Sequence, residues 1–469
     1  MQTTRVKERN FMLGVFNGVF VNAGDAFMHS GLVLAPFLAV LGAPAVIIGL
    51  VPAIKVGGWY LPQLLVANRI SHEPLKLQFY HFTSTVRSIA LMVMTLAVFL
   101  VGGDQPSLLI LIVLVMLTIN AIAGGVGGVP FADVTAKIVP HSRLGTFWAM
   151  RNAIGGVLAL GAGIVLRYIL ASDMSFPNNF GLILLLGSLL SALAYTSFSL
   201  VKEPPGVPGM RRPLVGMLRD IPGILRVDVR LRRFLRVRFL GLATLLAEPF
   251  YAVYAITVIG APDAAIGTYV IAATAASVLG NLAFGMLSNR GMNVTVMQIG
   301  YALLLGAPLC AVLIQDWRWF SMVFVLSAVG NAGVGIAAAN LLYAIAPLDD
   351  RALYIGLSNS VLTIPSLAPV MAGALLTWFK MPTMFLAAAA LAVVTLALSF
   401  RYAKPTVRPS ARAANRNQPK NLLRRRPAKR VRGARTRRLK ARTLWRRRRA
   451  LPSVGWRTRP RGHELANRR

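Results

Sequence analysis

Twelve long apolar runs follow one another along this chain, far more greasy surface than a soluble core of its size buries. They lie at 11–38, 44–67, 80–102, 107–131, 146–171, 180–201, 236–259, 264–287, 294–315, 320–346, 355–378 and 382–402. As helices, each is long enough to cross a hydrocarbon layer of about 30 Å. A backbone in lipid must satisfy its own hydrogen bonds, so only helices or closed barrels span a membrane. Barrel strands would show segments of about ten residues alternating in polarity, whereas these runs are continuous. A mean hydropathy of +0.61 with only 14% charged residues agrees. The expected fold class is therefore all-α, with twelve transmembrane helices.

Charge divides the chain. Of the 51 Lys and Arg residues, about half follow Ala403, against a single acid, Glu464. The expected parts are residues 1–201, a first six-helix bundle; 202–235, a connecting loop; 236–403, a second six-helix bundle; and 404–469, a basic tail. The loop is rich in Pro, Gly and Arg, and its Arg residues alternate with apolar ones. That pattern fits either a short interfacial helix on anionic lipid or a solvated linker. The tail has too few apolar residues to bury a core. Attraction to anionic lipid, contact with nucleic acid, and read-through without biological meaning are its three open readings, with nucleic acid the least expected partner. Loops rich in cations (around Arg69, Arg143, 202–235, Arg290 and Arg351) alternate with loops poor in them (42–44, 102–107, 260–265). Cations stay on the cytoplasmic side, which predicts a multi-pass membrane protein with both termini inside.

Other chemistry finds no support. Cys310 is the one cysteine, so neither an intrachain disulfide nor a cysteine-based zinc site is expected. The five histidines show no ligand spacing, and no phosphate-binding GxxxxGK[ST] loop occurs. No cofactor, no metal and no enzymatic activity are expected.

The informative residues are polar ones inside the apolar runs, because ionisable groups at membrane depth are costly and mark pathways. Asn22, Asp25 and His29 recur at helical spacing on one face of run 1. In run 7, Thr244, Glu248 and Tyr251 do the same, and Pro249 is expected to free the carbonyl of Leu245. Such an acid suits a proton or small-cation site. Lys55 falls at a similar depth in run 2, either as the structural partner of Asp25 or as a site for an anionic substrate. Asn281, Asn331 and Asn359 are read first as glue between helices and only second as substrate candidates. Arg87 and Arg151 are expected either to snorkel from the cytoplasmic ends of their runs or to pair with loop acids there.

The two halves repeat. Asn68-Arg69 closes run 2 and Asn289-Arg290 closes run 8; Asp133 precedes Pro140 as Asn340 precedes Pro347, with Arg143 and Arg351 following; Asp25-Ala-Phe27 has a counterpart in Glu248-Pro-Phe250. A six-plus-six helical body with a basic central loop and these turns resembles the major facilitator superfamily. That family's turn signature is G-x-L-x-D-R-x-G. The chain carries Gly285, Leu287, Asn289, Arg290 and Gly291 in the second half, and Leu65, Asn68 and Arg69 in the first. Both copies have Asn where the family has an Asp that caps a neighbouring helix and locks one state.

The resemblance implies two pseudo-symmetric bundles rocking about a site at mid-membrane, with the turn residues, Asp133, Arg143 and Arg351 as the conformational gate. It implies a secondary transporter, or permease, of the bacterial inner (plasma) membrane, moving a small-molecule substrate as a monomer, by symport or antiport. A proton-coupled cycle through Asp25 or Glu248 is one option that the residues themselves offer, and uncoupled transport is the other. The competing expectation is a membrane sensor or anchor that transports nothing and whose tail binds lipid or nucleic acid.

Overall fold

The structure is a computed structural model that describes residues 4–70, 72–206, 214–347 and 351–402. The basic tail lies outside the described residues, as do the side chains of Asn68 and Arg351. Among the described residues every regular element is a helix. Numbering the expected segments as spans 1 to 12, eleven are helices long and apolar enough to cross a membrane. Span 2 is the exception. It breaks at Leu61-Pro62 into Ala45–Tyr60, sixteen residues, and Gln63–Ile70. Pro62 has no N–H to continue the ladder, so the chain turns there before the helix resumes.

Span 1 (Thr4–Val40) is also interrupted. Its α-helix ends at Phe27, His29 is extended, and the chain re-enters as a π-helical turn over Ser30–Leu34 before Ala35–Val40. Span 7 starts earlier than expected, at Val229, because the carboxylate of Asp228 caps it by accepting from the N–H groups of Arg230 and Leu231. Within the connecting loop a helix runs over Leu214–Val227, and its Ile221, Ile224 and Leu225 pack toward Leu231 and Phe234 at the start of span 7.

The helix pairings of the first half recur in the second. Span 1 packs on 5 and 6, span 2 on 4, and span 3 on 4 and 6; spans 7 to 12 repeat this as 7 on 11 and 12, 8 on 10, and 9 on 10 and 12. Across the halves, span 5 meets span 8 and span 2 meets span 11. Leu100 is 83% exposed and Phe82 71% exposed on the outer face. Apolar side chains pointing out are what a lipid-facing helix requires. Glycines set the closest approaches: a Cβ on Gly125 would lie 2.5 Å from the carbonyl oxygen of Trp59, so only glycine lets spans 2 and 4 touch there.

Candidate functional site

The break in span 1 organises the site. Ending a helix at Phe27 leaves carbonyls without partners and opens a new helix start that needs capping. His29 caps the new start: its Nδ1 accepts from the N–H groups of Gly31 at 3.3 Å and Leu32 at 3.1 Å. The ring is thus neutral, with its proton on Nε2. Lys55 serves the old end. Its Nζ donates to the Met28 carbonyl at 3.1 Å and to Asp25 Oδ1 at 3.3 Å. A cation belongs at a helix C-terminus, where the macrodipole is negative.

Span 7 carries a matching irregularity. Thr244–Ala247 is a 3-10 turn, and a new helix starts at Glu248 with Pro249 in its first turn. This corrects one expectation. The Leu245 carbonyl is not free, because the tighter turn lets the Glu248 N–H reach it. Glu248 lies about 14 Å from the end of its helix at Thr257, near mid-depth. Gly31 lets spans 1 and 7 approach, since a Cβ there would stand 3.2 Å from the Glu248 carbonyl oxygen.

Between the halves lies a cavity of about 730 Å³. Asn22, Asp25 and His29 line it from span 1, and Glu248 and Tyr251 line it from span 7. Asn281 and Asn331 line it from spans 8 and 10. Seven of the candidates therefore share one cavity, whereas Thr244 donates to the Gly241 carbonyl at 2.7 Å. Some of them also have structural duties. Asn22 donates to the Arg151 carbonyl at 3.1 Å, Asn281 donates to the Ser277 carbonyl at 2.8 Å, and Tyr251 is buried against Phe385. Two further candidates lie elsewhere. Lys55 borders a second, smaller cavity, and Asn359 donates to Gln63 Oε1 at 2.7 Å, joining span 11 to span 2. Asn152, Thr274, Ser277 and Ser327 line the main cavity without having been singled out. A signal for them existed: Thr274, Ser277 and Asn281, and Ser327 and Asn331, recur every three or four residues.

One end of the cavity is closed. A Cβ on Gly49 would lie 2.1 Å from the Pro369 carbonyl oxygen, and one on Gly373 would lie 2.3 Å from that of Ala45. Spans 2 and 11 thus cross through a small-residue pair spaced by four on each side, the packing that lets backbones touch. Spans 5 and 8 do likewise at that end, with Gly267 against the Arg167 backbone and Gly163 against Ile271. Every cavity residue of spans 5 and 8 lies on the other side of these contacts, toward the end where the chain enters span 1. There, a Cβ on Gly145 or Gly285 would meet no atom within 4 Å.

The described gate residues divide into paired and exposed ones. Asp133 pairs with Lys76 at 2.8 Å and Lys137 at 2.7 Å, and Lys137 with Glu203 at 2.7 Å. Glu203, unforeseen from sequence, also accepts from the N–H groups of Lys76 and Leu77 at the start of span 3. Arg143 pairs with Glu8 and lies 4.3 Å over the ring of Phe11. In the second half, Asn340 donates to Ser288 Oγ at 2.6 Å and to Asn293 Oδ1 at 3.3 Å. Asp133 and Asn340 thus make the same link in the two repeats, charged in the first and neutral in the second. Arg69, Asn289 and Arg290 are exposed, and Gly291, with φ +79°, ends the helix of span 8.

Arg87 and Arg151 correct another expectation, because neither snorkels. Span 3 starts at Leu77, which puts Arg87 about 15 Å along its helix. Its Nε donates to Asn120 Oδ1 at 3.2 Å, and its guanidinium lies 4.2 Å over the Tyr195 ring. Arg151 is buried, donating to the Gly14 carbonyl and to Asn17 Oδ1 at 3.0 Å among the rings of Phe131, Phe147 and Trp148. Phe147 and Trp148 precede it by four and three residues, a spacing visible in the sequence.

The family model described as Major Facilitator Superfamily matches residues 239–457. No curated protein sequence matches the chain. Among solved structures, a point mutant of the nucleoside transporter NupG superposes with a TM-score of 0.65 at 14% identity, covering 84% of this chain and 100% of that one. A D-xylose-proton symporter gives 0.66 at 11% identity, with 85% and 98% covered. A bacterial homologue of the iron transporter ferroportin gives 0.63 at 14% identity in its inward-facing state, with 86% and 100% covered. The same homologue outward-facing gives 0.59 at 15%, with 84% and 99% covered. At these identities the likeness is one of fold.

Proposed function

We propose that this chain, a Major Facilitator Superfamily protein, carries a small solute across the membrane by alternating access, with Glu248 as the proton-carrying group. The observation that carries the reading is the cavity of about 730 Å³, lined by both halves and closed at one end by glycine-mediated contacts. Contacts made through small residues separate and re-form without leaving large side chains unpacked, which suits a rocking interface. The cavity opens toward the end where the chain enters span 1. With the termini in the cytoplasm of a plasma membrane, this is an inward-facing state. The better superposition on the inward-facing than on the outward-facing ferroportin homologue supports it.

Two carboxylates line the cavity, and different surroundings support different roles for them. Asp25 is held by Lys55, so its charge is compensated in place. Glu248 makes no ion pair and donates or accepts no side-chain hydrogen bond among the described residues. A carboxyl so placed, between two moving halves, can take up a proton from one side and release it to the other. The neighbours named for nucleosides, xylose and iron do not converge on one cargo, so the cargo is read from this chain's own cavities below. The test uses liposomes containing the full chain and an internal pH indicator. Adding a transported solute should move protons with the wild type. With Glu248→Gln, solute exchange should persist while proton movement disappears. Undiminished proton movement in that variant would remove Glu248 from the coupling role.

A further inference from the structure

A second cavity, of about 110 Å³, lies within the first half, beside the main one. Its polar lining is Asp25, Lys55, Arg87, Asn120, Ser191 and Tyr195, set among Met and Leu side chains. Asp25 borders both cavities, so the two adjoin at its carboxylate. Two cations thus face one carboxylate, and the carboxylate is engaged by Lys55 at 3.3 Å. Arg87 makes no ion pair among the described residues. Of its five N–H donors, the Nε one goes to Asn120 Oδ1, and the guanidinium face rests on Tyr195. The four N–H donors of its two terminal nitrogens have no protein acceptor among the described residues. A guanidinium about midway along a membrane helix, with its charge uncompensated, is costly to hold. Its fork is the shape that binds a carboxylate through two parallel hydrogen bonds.

We propose that this small cavity is the subsite for the carboxylate of an organic solute, with Arg87 gripping the two oxygens and the Lys55–Asp25 pair, neutral as a unit, beside it. The reading rests on the proposed carrier function and names the chemical class of its cargo. Size fixes the division of labour. A volume of about 110 Å³ corresponds to roughly four water molecules at about 30 Å³ each. It takes a carboxylate group but not a sugar or a nucleoside, so the rest of the solute occupies the main cavity past Asp25.

The test measures thermal stabilisation of the purified full chain by monocarboxylates from acetate to benzoate, each paired with its amide, in a background of sodium chloride. At least one carboxylate should stabilise the protein while its amide does not. Arg87→Gln should weaken that binding about 10- to 100-fold, the loss expected for charge-assisted hydrogen bonds. Arg87→Lys, which keeps the charge and loses the fork, should fall between. If Arg87→Gln does not fold, the wild-type carboxylate–amide difference and Arg87→Lys decide. Equal stabilisation by acid and amide, no stabilisation by any carboxylate, full stabilisation by chloride alone, or affinity unchanged in Arg87→Gln would each overturn the proposal. Binding at equilibrium needs no turnover, so this failure stays distinct from failure of the carrier reading, which the side-specific labelling of cavity cysteines measures without any solute.

Discussion

Lys55 reaches from span 2 to the break in span 1, where one ammonium holds the Asp25 carboxylate at 3.3 Å and the Met28 carbonyl at 3.1 Å. The ion pair is therefore also a helix terminus. Asp25 remains 63% exposed toward the cavities, so solvent screens the pair, and its coupling should be about 1 kcal/mol, not the several of a buried pair. Thermal unfolding of Asp25→Asn, Lys55→Gln and the double variant measures it. The Lys55 change should cost more than the Asp25 change, because it also strands the Met28 carbonyl. The double variant should be no worse than Lys55→Gln alone. Strictly additive losses would mean that the two side chains do not act together.

Gly18 makes room for Arg151. A Cβ at residue 18 would stand 2.5 Å from the guanidinium carbon and from Nε of Arg151 and 2.7 Å from its Cγ, so the whole side chain, hydrogen-bonded and set among three rings, would have to shift. Gly18→Ala should destabilise the first half by about 1–3 kcal/mol, the usual cost of overpacking. Gly285→Ala, where open space surrounds the added methyl, should cost much less. A comparison of the two melting temperatures decides, and equal values would contradict the packing described.

Glu203 ties three segments together: the start of span 3, the end of span 4 through Lys137, and the chain leaving span 6. Its side chain is only 3% exposed. Glu203→Ala removes one partner of a buried pair and uncaps span 3, so it should cost about 3–5 kcal/mol. Glu203→Gln keeps acceptors for the Lys76 and Leu77 N–H groups and should recover part of that. Equal loss in both variants would show that the charge alone matters and the cap does not.

Hydrophobic run length made the helical, multi-span fold legible, because nothing soluble reads that way. Helical spacing placed Asn22, Asp25 and His29 on one face, and they do line one cavity. What spacing could not reveal were the breaks. A π-turn after His29 and a 3-10 turn before Glu248 arise from caps and packing that join distant spans, such as Lys55 on Met28. Arg87 and Arg151 were misplaced for the same reason. An arginine near a helix start looks free to reach the surface until Tyr195, or Phe147 and Trp148, are seen to enclose it. Asn359 was legible as a polar residue joining helices, but not its partner, since Gln63 lies 296 residues away.

The central claim is that two ends of one cavity open in turn, and opposed steric wedges test it without knowledge of the cargo. In a Cys310→Ser background, Asn281→Cys reports the main cavity to a membrane-impermeant thiol reagent applied from either side of oriented vesicles. Gly49→Leu should prevent closure of the end now sealed, where even a Cβ would lie 2.1 Å from the Pro369 carbonyl. Gly285→Leu fits the present state and should obstruct closure of the opposite end. Gly49→Leu is predicted to shift labelling toward the side where Ala45 lies, and Gly285→Leu toward the side of the chain's entry into span 1. Labelling that shifts the same way in both variants, or in neither, would contradict alternating access.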